Sequence, residues 1–127
     1  MSNFIEIWNK EVRPLAMNCV EDNNFIHLLS LPDHELSIGE KEYLRKSMEK
    51  YKDPYSLYYI SIMIKIIDRS LMQNNQSFAE FMAKSVYDIL NEPNYLQTVF
   101  NGDTSNEECK SKTALREGLQ KLLNLNK

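Results

Sequence analysis

An all-α fold in a single domain, residues 1–127, is predicted by three observations. Only 3 Gly and 4 Pro occur in 127 residues, too few for the tight turns of a β-sandwich. Apolar residues recur at intervals of three and four, and no stretch alternates as a strand would. A Ser followed three residues later by Glu, the pattern of a reciprocal helix cap, occurs at Ser37/Glu40, Ser77/Glu80 and Ser105/Glu108. Together these predict a compact bundle of about six to eight helices around a central helix near 54–72. No internal repeat is evident, and a pair-stacked, HEAT-like solenoid is the alternative packing. A hydrophobic fraction of 43% and a charged fraction of 26% suit a globular chain with one continuous core.

The first helix is expected behind Ser2, with Phe4, Trp8, Val12 and Leu15 on one face. Pro14 then implies a kink or a second short helix. Asn23 or Asn24 offers a cap for a short helix whose Phe25, Leu28 and Leu29 share a side, and Pro32 ends it. The Ser37/Glu40 box opens a helix with Tyr43, Leu44, Met48 and Tyr51 on its buried side. Asp53 followed by Pro54 reads as an N-cap with proline at the first helical position, the start of the central helix.

That central segment, DPYSLYYISIMIKIIDRS, is the most apolar of the chain. Leu57, Ile60, Ile64, Ile67 and Leu71 form one stripe, and Tyr59, Met63 and Ile66 an adjoining one. Ser61, Lys65, Asp68 and Arg69 gather opposite, with Tyr58 the tyrosine expected to be most exposed. A bilayer span needs roughly 20 apolar residues, and each central charge costs about 2.5 to 3.5 kcal/mol on insertion scales. Lys65, Asp68 and Arg69 therefore exclude a membrane span, and an apolar arc this wide calls for neighbours on several sides. Further on, Ser77 and Glu80 open a helix with Phe78, Phe81, Met82, Val86, Ile89 and Leu90 as its apolar face. Pro93 opens a short one that Gly102 stops, and the last starts near Ser105 and runs through Leu115, Leu119, Leu122 and Leu123. Gly118 inside it weakens that helix or marks a close crossing.

Reaction chemistry finds little support. His27 and His34 lack the partners of a zinc motif, and there is no glycine-rich phosphate loop or nucleophile signature. A non-enzyme with no cofactor and no metal is the expectation. Cys19 and Cys109 match neither a redox pair nor a metal cluster, which fits a reduced cytoplasm, although a bridge between them is left open. The opening residues carry Glu6 and Glu11 and lack a secretory leader's pattern, which also points to the cytoplasm. Tyr51, Tyr55, Tyr58 and Tyr59 suggest base stacking, but tyrosines entering a central helix more commonly bury their rings with the hydroxyl at the rim.

Charge placement is more informative. No Lys or Arg lies between Arg13 and Lys41, an interval holding Glu21, Asp22, Asp33, Glu35 and Glu40. None lies between Lys84 and Lys110 either, where Asp88, Glu92, Asp103, Glu107 and Glu108 stand. Glu40 and Glu108 are explained by helix starts, where a carboxylate is favoured. The candidate partner-binding residues are Glu21, Asp22, Asp33, Glu35, Asp103, Glu107 and Glu108. If the intervals meet in the fold, they form an acidic surface that repels nucleic acid and attracts a basic protein.

The acidic passages PDHELSIGEKE and GDTSNEECKS, in a small Asn-rich helical chain, resemble the immunity proteins of bacterial contact-dependent growth inhibition systems. That resemblance implies a protein that binds a cognate toxin domain, commonly a nuclease with a basic cleft, and covers the cleft so that nucleic acid is excluded. It implies no direct contact with nucleic acid or membrane; a homodimer is left open. The competing expectations are a small helical chaperone or adaptor of a secretion system, presenting an apolar groove, and a phage-type inhibitor of a host enzyme.

Overall fold

A computed structural model describes residues 3–21, 24–56 and 58–124. The expected cap Ser2, together with Asp22, Asn23 and Leu57, lies outside the described residues. The chain forms α1 (Phe4–Ile7), a π-turn (Trp8–Val12), α2 (Arg13–Met17), α3 (Asn24–Leu29), a 3-10 turn (Asp33–Glu35), α4 (Ile38–Lys50), α5 (Tyr59–Met72), α6 (Gln76–Leu90), α7 (Tyr95–Val99) and α8 (Glu107–Leu122). No strand occurs among the described residues. The fold is an all-α bundle, and among the described residues no helix is long and apolar enough to cross a membrane.

α1, the π-turn and α2 run on as one helical rod, because Pro14 neither breaks nor ends it. Proline lacks the N–H that would bond the carbonyl four residues back, and its ring crowds that carbonyl. The turn before it widens instead, and the Arg13 N–H donates to the Trp8 carbonyl, five residues earlier. The extra residue shifts the buried stripe. Phe4, Trp8 and Val12 are buried as expected, but the fourth member is Ala16, and Leu15 is only half-buried.

α5 is the central helix. Ile60, Met63, Ile64 and Ile67 join Trp8, Val12 and Ala16 from the first rod, Ala79, Ala83, Val86 and Leu90 from α6, and Leu115 and Leu119 from α8. On another face, Ile62 completes a second cluster with Phe25, Ile26, Leu28 and Leu29 of α3, Leu36, and Leu44 of α4. One helix thus serves two cores, which explains why its apolar arc is so wide. Its polar-looking Ser61 is fully buried, contrary to expectation. The Ser61 hydroxyl donates to the Cys19 carbonyl at 3.2 Å and accepts the Glu21 N–H at 2.8 Å. A hydroxyl satisfied twice can occupy a core.

Several boundaries and faces differ from the sequence expectation. α5 begins at Tyr59, not at Pro54. The Asp53 carboxylate accepts the Tyr55 N–H at 3.0 Å and its carbonyl accepts the Ser56 N–H at 2.9 Å, so Asp-Pro makes a turn. Proline's fixed φ suits the second position of such a turn as well as a first helical turn. The Ser37/Glu40 box forms, with bonds of 2.8 and 3.1 Å. The other two do not: Asn75 caps α6 through the Phe78 N–H, and Asn106 caps α8 through the Glu108 and Cys109 N–H groups. Asn74, at φ 58°, swings the chain between α5 and α6 so that Asn75 rather than Ser77 meets the open helix end.

α6 faces α5 with Ala79, Ala83, Val86 and Leu90, small residues first. Phe78 and Phe81, expected in the core, consequently point outward, Phe81 with 64% of its surface exposed. α4 likewise buries Leu44 and Ser47, leaving Tyr43 and Met48 partly exposed, at 45% and 38%. Tyr58 is half-buried with its ring 4.6 Å from that of Tyr51, and of Tyr51, Tyr55, Tyr58 and Tyr59 it is Tyr55 that is exposed, stacked 5.6 Å from Tyr95. At Gly118, an added Cβ would lie 3.0 Å from Leu15 Cδ1, so this glycine marks a close crossing of α2 and α8. After α7 the left-handed stop expected at Gly102 falls one residue earlier, on Asn101 at φ 52°, and Gly102, at φ +80°, follows with its N–H donating to the Gln97 carbonyl at 2.9 Å.

Candidate functional site

Two polar regions stand out, one at an end of the bundle and one along its flank. The end is where α5 starts, α6 finishes and α8 starts. Ser61 ties the segment after α2 to the first turn of α5, which brings Glu21 here. The Asp103 carboxylate accepts the Ser105 N–H and hydroxyl at 3.1 and 2.6 Å, ordering the approach to α8. Asn106 caps that helix at 2.8 and 3.4 Å, and Glu107 and Glu108 then fall in its first turn, where unpaired N–H groups favour negative charge. Glu107 lies 3.6 Å from Lys110. Asp103, Glu107 and Glu108 are all exposed.

Cys19 connects the two sequence intervals electrostatically. Burial pushes its thiol up to about 11; Lys112 opposes the shift and Glu108 adds to it, so α8's first turns lie close to the end of α2. Tyr95, buried nearby, is pushed up to about 12, first by burial and then by Cys19, Tyr55 and Tyr59. Lys112 is buried, with Nζ 5.5 Å over the Phe100 ring. Glu21 from the first interval therefore shares an end with Asp103, Glu107 and Glu108 from the second.

The remaining candidates go elsewhere. Asp22 lies outside the described residues. Asp33 and Glu35 belong to the 3-10 turn, and Asp33 accepts from Arg69 at 2.7 Å. Arg69 follows Ser61 by eight residues along α5, a rise of about 12 Å. Glu35 lies beside His34, at 3.8 Å. The two intervals thus meet in part, because α3 and the turn after it run down the flank of α5 instead of staying at its start.

Along that flank lies an open groove of about 450 Å³. Ile5, Leu29, Leu71 and Met72 line it with apolar surface, and Arg13, Lys65 and Arg69 bring three cations to it from the first rod and α5. Asp68 is the carboxylate in its lining; only 14% of its side chain is exposed. It accepts from Trp8 Nε1 at 2.7 Å and from Arg13 Nε at 3.0 Å. In the sequence Lys65, Asp68 and Arg69 read only as part of the polar arc of the central helix. Arg13 lies 55 residues from Asp68, and nothing local signals that they meet.

His27 and His34 are both exposed. Among the described residues no group of three or more His, Cys, Asp or Glu side chains could hold a metal ion. Cys19 and Cys109 are buried and free, so the bridge left open by the sequence is not formed. Comparison with the models of protein families, with curated proteins and with solved structures returns no match for this chain.

Proposed function

We propose that this chain is a non-enzymatic neutralising partner that works in the cytoplasm, binding a basic protein domain in the manner of an immunity protein against a nuclease toxin. The observation that carries this reading is the gathering of Glu21, Asp103, Glu107 and Glu108 at one end of the bundle, with the last two on a capped helix start. Carboxylates held at a capped helix start and the turn before it can stand where phosphates would bind in a basic cleft, and they speed association at low salt. Charge placement of this kind also lets a cognate pair reject other partners.

Reversal of Asp103, Glu107 and Glu108 to Lys tests this. Affinity for the purified product of the adjacent gene should fall by at least about tenfold at low ionic strength, with helical circular dichroism unchanged. Unaltered affinity removes these residues from the mechanism. The adaptor reading retains one specific support, the outward Phe78 and Phe81 rings, stacked with centroids 6.3 Å apart. A partner released by Phe81→Glu but indifferent to the charge reversal would favour it.

A further inference from the structure

We infer that the flank groove between the first rod and α5 docks an acidic segment of a partner polypeptide, one that places a carboxylate beside an apolar side chain. This inference stands apart from the acidic end and does not depend on it. Its argument is the charge and chemistry of the walls. Arg13 is already engaged by Asp68, at 3.0 Å. Lys65, half-buried in the groove's lining, has no hydrogen-bond or ion-pair partner among the described residues. An ammonium so placed is an unanswered charge beside apolar surface, where an incoming carboxylate gains more than it would in open water.

Arg69 shows how such a carboxylate sits. Asp33, from a different element and 80% exposed, rests on its guanidinium at 2.7 Å. An ion pair that exposed contributes little to stability, so a ligand carboxylate can replace it. The apolar part of the site is equally open: Met72 is 71% exposed, and Ile5 beside it is exposed too. A side chain such as Leu or Met laid across them would leave water.

The geometry disfavours a nucleic-acid strand. Successive phosphates need a run of cations, whereas here Asp68 interrupts the wall, Asp33 stands at Arg69, and the whole chain carries a net charge of −3. The π-turn contributes as well. It lies in this wall, with Asn9 inside it and Arg13 at its end both lining the groove, and such turns recur at functional sites.

The experiment is selection of a displayed random dodecapeptide library on the intact chain, followed by fluorescence polarisation with the selected peptides. Enrichment of Asp or Glu next to Leu, Ile, Met or Phe is expected. Lys65→Glu should weaken those peptides by about tenfold, and Asp33→Ala, which frees Arg69, should tighten them by about threefold. The second variant matters because a merely structural defect would not improve binding. The inference is overturned if the library yields no saturable binder or only basic or uncharged sequences. Peptides that ignore both substitutions, or an acidic peptide outcompeted by a single-stranded deoxyoligonucleotide of equal length, would overturn it too.

Discussion

Asp68 joins the indole of a fully buried Trp8 to Arg13 at the surface. Removing it leaves a buried N–H without an acceptor, so Asp68→Ala should cost about 1–3 kcal/mol in urea unfolding. Arg13→Ala removes only the outer half of the arrangement, from a side chain that is nearly half exposed, and should cost about 0–1 kcal/mol. Equal losses from the two would mean that the indole bond is not the stabilising member. Cys19 and Tyr95 set the alkaline limit. Both are raised in the folded state, from 9.0 to about 11 and from 10.0 to about 12. Well below pH 9 both are almost wholly neutral whether the chain is folded or not, and their contribution is intact. As pH rises from 9 through 11 for Cys19, and from 10 through 12 for Tyr95, the unfolded chain gives up its protons first and stability is lost. The urea midpoint should therefore fall steadily above pH 9 and the Cys19 thiol should resist alkylation near pH 8; a flat midpoint through that range would contradict the burial argument.

Helix ends provide a sharper contrast between sequence pattern and structure. Asn75→Ala should cost about 1 kcal/mol, as loss of an N-cap does, whereas Ser77→Ala should be nearly neutral. Thermal melts of the two variants would reverse that order if Ser77 were the true cap. Gly118→Ala sets helix propensity against the Leu15 methyl at 3.0 Å. That methyl ends a flexible, half-buried side chain beside a cleft also lined by Ile7 and Ala114, so it can turn aside. A net gain of about 0.5 kcal/mol is expected, out of the roughly 1 kcal/mol that separates Gly from Ala in a helix. The Ser-x-x-Glu pattern marks the cap at Ser37 and Glu40, whereas near Ser77 and Ser105 a neighbouring asparagine, Asn75 or Asn106, takes the helix end instead. Asp53 and Pro54 misled because the same two residues serve equally well in a reverse turn, which here brings the Tyr51 and Tyr58 rings together across it. The outward turn of Phe78 and Phe81 was unreadable for a related reason. Their burial depends on how closely Ala79 and Ala83 let α6 approach α5, a distance that no single segment encodes.

The fold class was legible throughout because helical spacing is a local property repeated many times, and the central helix declared itself by the width of its apolar arc. The site was legible only in part. Acid-only intervals are visible along the chain, but whether they converge depends on the path between them: Ser61 draws Glu21 to the acidic end, while Arg69 holds Asp33 well down the flank. The groove was invisible, since its cations come from positions 13, 65 and 69 and acquire meaning only as neighbours. Ile64→Asp or Ile67→Asp would put a charge at a fully buried position of α5 and should abolish cooperative melting at room temperature and above. α5 belongs to both apolar clusters, so neither half of the molecule has a floor without it. Deuterium exchange should consequently find the amides of Met63 to Ile67 the slowest in the chain, opening only when everything opens, and the protein should lack a half-folded state in which one cluster outlives the other.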